Sequence, residues 1–134
     1  MESPRNEYPD QYVRFLVYFN IDRDYYECHE VMEELWLEEG RDPFYQGLLQ
    51  VAVGLFHFRR ENISGARKLF ASALSKLRPY PERYMGIDLG RLRKDVEAYL
   101  KRLESYERTP FPYYDLNISI IDRDLRNRIH KGGA

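Results

Sequence analysis

The sequence predicts an all-α fold, a compact five-helix antiparallel bundle followed by an extended C-terminal arm. Three observations carry that expectation. Apolar residues recur at helical spacing through most of the first 106 positions. Asp, Asn, Pro and Gly interrupt them where helices start and stop. Strand-like alternation is confined to the tail. The chain of 134 residues, 43% hydrophobic and 32% charged, suffices for one core and excludes collagen-like, low-complexity and wholly disordered classes.

A mobile lead-in over residues 1–9 carries Pro4 and Pro9. The first helix is expected over 10–20, with Val13, Phe15, Leu16, Val17 and Phe19 as its apolar positions. Asp22 is the expected cap of a second helix to about residue 39, ended by Gly40 in a left-handed conformation. Asp42 and Pro43 open a third helix to about residue 61. The carboxylate accepts orphan amide protons there, and proline at the first helical position gives up no hydrogen bond. Asn62 caps a fourth helix to about residue 78, with an apolar stripe through Ala66, Phe70, Ala73 and Leu77. After a loop over 79–86, Asp88 opens a fifth to about residue 106, which closes a helical domain over 10–107. Pro110 and Pro112 then break helix, and Leu116, Ile118 and Ile120 alternate with Asn117, Ser119 and Ile121. Residues 108–134 therefore read as an arm, frayed from residue 126, that lies extended on the helices or docks on another subunit to form a homo-oligomer.

The net charge of −1 hides an asymmetry, because residues 1–44 carry 12 acids against 4 bases and residues 45–134 carry 17 bases against 10 acids. Solvated faces, or halves that face each other, account for this better than nucleic-acid binding, which usually requires a strongly basic domain. Cys28, the single cysteine, can form no intramolecular disulfide, and no N-terminal apolar run marks a signal peptide. The expected compartment is the cytoplasm. The apolar-rich stretch over 44–58 is interrupted by Gln46, Gln50 and His57 and is too short to span a bilayer, so no membrane association is expected.

Polar residues on apolar arcs mark the candidate site. On the second helix His29 shares its arc with Tyr25, Met32 and Trp36, Glu33 stands at the arc's edge, and Glu27, Glu30, Glu34 and Glu38 make an acidic outer face. The third helix is apolar nearly all round, yet Gln46, Gln50 and His57 fall within about 20° of one stripe at 100° per residue. A buried amide or imidazole without a partner costs about 1–3 kcal/mol, so something polar should face that stripe. The short connection at residues 40–42 makes the two helices antiparallel neighbours and offers the His29 and Glu33 edge as the counterpart. His29, Glu33, Trp36, Gln46, Gln50 and His57 thus form the expected buried polar pocket, with Trp36 as a wall offering its indole N–H. Three of them, His29, Glu33 and His57, are the candidate ligands of a divalent cation with an open fourth position. The alternative is a satisfied, cofactor-free hydrogen-bond network in a helical core.

These residues also carry a resemblance. The run from Tyr26 to Trp36 with its His29-Glu30-x-x-Glu33-x-x-Trp36 element, followed by Gln46-Gly47-x-x-Gln50 and by His57 before Arg60-Glu61-Asn62, resembles the bacterial and archaeal family catalogued as domain of unknown function 309. The similarity spans about residues 11–106. It implies a small all-helical domain with no assigned reaction, and marks His29, Glu33, Trp36, Gln50 and His57 as motif positions. Gly54, Ala66, Phe70, Ala73 and Pro79 also lie near the small and turn positions of a tetratricopeptide hairpin. One unit makes no solenoid, and the useful implication is tight packing of the third and fourth helices. The expected function is a small binding or interaction module. Its rivals are a metal-dependent hydrolase using His29, Glu33 and His57, and a nucleic-acid-associated regulator using the basic face of the fourth and fifth helices.

Overall fold

The computed structural model describes residues 8–131. Helices α1 (Asp10–Val17), α2 (Tyr25–Glu38), α3 (Pro43–Arg59), α4 (Ile63–Leu77) and α5 (Leu89–Glu104) follow the expected order, and α6 (Arg123–His130) is an addition within the arm. Residues 1–7 of the expected lead-in and residues 132–134 of the expected frayed end lie outside the described residues.

Side-chain caps set most of the boundaries. Asp42 accepts from the Phe44 N–H at 2.9 Å, Asn62 from Gly65 at 3.0 Å and Asp88 from Arg91 at 3.0 Å, so α3, α4 and α5 start where the cap residues place them. The start of α2 differs from expectation. The last turn of α1 widens into a π-helical turn over Tyr18–Asp22, and Arg23 follows in the left-handed region at φ 55°. The chain is therefore still winding at Asp22, and Asp24 becomes the cap, accepting from Glu27 at 3.1 Å.

Helix α3 is the centre of the molecule, as its all-round apolar surface predicts, with Leu48, Val51, Ala52 and Leu55 fully buried. It meets α4 across Gly47 and Gly54, two turns apart on one face. A methyl group at Gly54 would stand 2.7 Å from the Phe70 ring, and one at Gly47 2.6 Å from Leu77, so the two helices approach as closely as backbone allows. Around the end of α3, Phe58 packs edge-on to Tyr99 and Tyr106, and tilted against Phe111, with ring centroids 5.1–5.7 Å apart.

The arm is held by its own chain. Phe111, Leu116 and Ile118 are buried, and the Asn20 side chain acts as a strand partner: its amide donates to the Ile118 carbonyl at 2.8 Å and accepts from the Ile118 N–H at 2.9 Å. The edge that the alternating residues require is a two-residue hairpin, β1 (Arg83–Tyr84) and β2 (Ile87–Asp88), turned by Met85 and Gly86 at positive φ. Ile120 bridges Ile87, and Asp88 donates its N–H to the Ser119 carbonyl at 2.9 Å. Of the two placements expected for the arm, the structure shows the one in which its apolar residues are covered by its own chain. Residues 126–130, expected to fray, are instead helical. Asp122 caps α6 by accepting from Leu125 at 3.0 Å, Leu125 and Ile129 bury its inner face, and Arg128 pairs with Asp10 at 2.7 Å.

Gly54→Ala should destabilise the domain by about 1–3 kcal/mol, because Phe70 is fully buried and has no room to retreat. Urea denaturation measures this, and an unchanged midpoint would show that the two helices separate freely.

Candidate functional site

A left-handed pair, Gly40 at φ 71° and Arg41 at φ 64°, reverses the chain between α2 and α3 and sets them antiparallel. The turn is closed by the Arg41 N–H, which donates to the Trp36 carbonyl at 2.7 Å, while the Arg41 guanidinium lies 5.3 Å over the Trp36 ring.

At the other end of this helix pair the seam opens into a groove of about 220 Å³ lined by Tyr25, Tyr26, His29, Val53, Phe56 and His57, and its lining is almost all carbon. Two of the six expected site residues, His29 and His57, therefore meet across α2 and α3. The remainder of the expected pocket is distributed differently. Glu33 is 48% exposed, with Oε1 4.0 Å from His29 Nε2, and belongs to an adjoining, mainly acidic cleft in which Glu27, Glu30 and Glu34 outnumber the one base, Arg14. Trp36, Gln46 and Gln50 are half-buried and line neither space. In place of one interior pocket holding all six, the structure shows an open groove lined by His29 and His57 alone of the set.

Each imidazole has a defined neighbour. His29 Nδ1 lies 3.3 Å from Glu30 Oε2. His57 Nδ1 lies 3.2 Å from Asn62 Nδ2. Because Asn62 Oδ1 already accepts from the Gly65 N–H, its amide nitrogen is the atom facing His57 and must donate. Neutral His57 therefore carries its proton on Nε2. The Trp36 indole N–H and Gln50 Oε1 are both buried with no hydrogen-bond partner, so the donor expected at the wall of the pocket is directed at no acceptor. Among the described residues no three His, Cys, Asp or Glu side chains converge as metal ligands, and the His29, Glu33 and His57 set does not fit a divalent cation.

A second polar cluster, which helical periodicity does not reveal, adjoins the groove through Tyr25. The Tyr25 and Tyr113 hydroxyls both donate to Asp115 Oδ1 at 2.7 Å, Arg23 lies 3.9 Å from Asp115 Oδ2, and the Arg59 guanidinium stacks 4.7 Å over the Tyr25 ring. Burial pushes the Tyr25 phenol up to about 12. For Asp115, burial acts to raise the carboxyl, but the Tyr113 and Tyr25 hydroxyls with Arg23 and Arg59 more than offset it, and the group titrates below its ordinary value. Tyr25 is detectable from the sequence as an apolar-arc residue one turn before His29. Asp115 is not, since about ninety positions separate it from Tyr25 and Arg23. Cys28, one turn after the α2 cap Asp24, is fully buried, with its Sγ 3.7 Å from the Phe15 carbonyl. Burial raises its thiol far above the ordinary range, so it makes no nucleophile.

Fold and groove together define a small all-helical domain with an apolar cleft between its second and third helices and an acidic ridge beside it. A family model described as "Domain of unknown function (DUF309)" matches residues 12–69, the stretch that contains every residue of the groove. Uncharacterized protein YpuF of Bacillus subtilis (strain 168) is 37% identical over 123 residues, covering 88% of this chain and 68% of that protein. An uncharacterized protein of Aquifex aeolicus (strain VF5) is 31% identical over 80 residues, 58% of this chain and 24% of that protein. The chain belongs to the DUF309 family. No helix among the described residues is long and apolar enough to cross a membrane.

Two outcomes test this geometry. The folded Asp115 carboxyl binds its proton less tightly than an unfolded one, so its stabilisation is complete above about pH 4 and disappears as pH falls through the folded value. Asp115→Asn should accordingly be less stable than the parent at pH 7, with the gap in urea midpoint narrowing in acid; a gap independent of pH would place the carboxylate away from its partners. Gln50→Met removes an acceptor that is buried without a donor and should raise stability by about 1 kcal/mol. A lowered melting temperature would reveal that Oε1 has a donor in solution.

Proposed function

We propose that this domain is a binding module whose α2–α3 groove receives a side chain from a partner macromolecule. The observation that carries the reading is an apolar groove built on two rigid helices, with Tyr26 held 57% exposed at its rim. Its volume of about 220 Å³ falls below the roughly 300 Å³ at which small-molecule pockets begin, so it suits one large side chain rather than a cofactor. The surroundings also favour binding over chemistry, since Cys28 is sealed and the lining offers few polar atoms.

The rival readings have less support. A metal-dependent hydrolase wants three protein ligands and an open position, and the groove brings two imidazoles while Glu33 faces outward. For a nucleic-acid regulator, the arginines of α4, of its C-terminal cap and of α5 are largely engaged: Arg67 with Glu107 at 2.6 Å, Arg78 with Glu97 at 3.8 Å, Arg91 with Asp95 at 3.3 Å, and Arg93 with the Tyr80 carbonyl at 3.0 Å. A sealed single cysteine accords with a reducing compartment, and the cytoplasm is the proposed location.

Titrating the nitrogen-15-labelled protein with indole tests the site. Amide shifts should cluster over residues 25–29 and 53–57, and Val53→Phe, which fills the groove, should suppress them without lowering the melting temperature much. Shifts scattered over the surface, or indifferent to Val53→Phe, would overturn the reading.

A further inference from the structure

The charge and the exposed apolar residues of α2 say more about the partner. At 100° per residue Tyr26, Glu33, Glu30 and Leu37 fall within about 60° of one another on the outer side of the helix. Tyr26 and Leu37, exposed by 57% and 50%, lie about three turns apart, with the two carboxylates between them. Glu30 joins this stripe to the groove through its contact with His29 and also borders the cleft shared with Glu27 and Glu34. Two ion pairs among the described residues that join the first third of the chain to the remainder, Arg128 with Asp10 and Arg23 with Asp115, lie away from this stripe. The opposite rim is positive, where the Arg60 guanidinium stands 5.3 Å over the Phe56 ring.

Resting on the groove reading above, we infer that the partner is a basic amphipathic segment: one large apolar side chain enters the groove, and lysines or arginines one and two turns along lie on Glu30 and Glu33. The polarity is set by the rims, since Arg60 repels a base on the α3 side and the α2 carboxylates attract one. Leu37 then offers a second apolar contact at the far end. A second copy of this chain does not suit the same surface, because two-fold packing through α2 would set Glu30 and Glu33 against the identical residues of the copy.

Fluorescence anisotropy of labelled helical peptides against the full chain tests this. One peptide carries a tryptophan anchor followed by lysines at the next two turns, a second replaces the lysines by glutamates, and a third keeps the lysines but has alanine for tryptophan. The tryptophan–lysine peptide should bind at least about tenfold tighter than either control. Glu30→Gln with Glu33→Gln should remove most of its advantage over the glutamate peptide, as should raising salt well above physiological strength. Equal affinity of the glutamate peptide, retention of binding without tryptophan, or failure of every peptide to bind would each overturn the inference. If indole still shifts the groove amides in that case, the groove reading survives and only the basic partner is lost; if indole is silent too, both fall. A doubled mass by light scattering that Tyr26→Ala abolishes would assign the groove to a second copy and equally overturn it.

Discussion

The close contact of α3 with α4 across Gly47 and Gly54 governs how the remaining elements are arranged. Once that face of α3 is given to α4, the aromatic residues of α5 and of the arm close over the end of α3, and α2 must take the side that is left. The seam between α2 and α3 is drawn together at one end by the left-handed turn at Gly40 and Arg41. Toward the other end the contact is made by Tyr25 and His29 on one helix and by Val53, Phe56 and His57 on the other. Val53 is the shortest of these side chains, and the groove is the space it leaves. An apolar cleft in a bundle this small is therefore a product of the same packing that makes the core, rather than a feature added to its surface.

Much of the fold was legible because the chain announces its helices twice, through period and through caps. Asp42 with Pro43, Asn62 and Asp88 sit at the starts they predict, and the bonds they accept explain why. The departures have local causes. The extra winding over Tyr18–Asp22 moved the start of α2 by two residues, and no side-chain pattern signals a π turn in a single sequence. Helix α6 departs from the expected unpaired tail although Asp122 and the Leu125–Ile129 pair signal it, because the prolines before it and the polar end after it point the other way. The alternating arm was recognised, but the hairpin edge that receives it is two residues long on each side, too short to show a period.

The site was legible in part, and for a geometric reason. A helical wheel gives the direction of a side chain and says nothing of its depth. His29 and His57 point to the same seam and meet there, as their angles imply. Gln46, Gln50, Trp36 and Glu33 share nearly the same directions but lie where the seam is closed or where the ridge of α2 turns outward, so direction alone grouped residues that depth separates. Asp115 illustrates the converse, since its link to Tyr25 depends on the arm crossing back over the first two helices, a contact between positions far apart in the chain.

Asn62 shows how one side chain can tie a helix start to the chemistry of a neighbouring wall. Its oxygen is committed to the first turn of α4, which leaves an N–H for His57 Nδ1 and keeps the imidazole a donor at its other nitrogen. Aspartate would begin α4 equally well. With a second acceptor in that place, however, the ring would have to present N–H to it, and neutral His57 would then offer a lone pair at Nε2 instead. The choice between two interchangeable caps thus decides whether this histidine gives or takes a hydrogen bond, a form of tuning available to any domain of this plan at the cost of one atom.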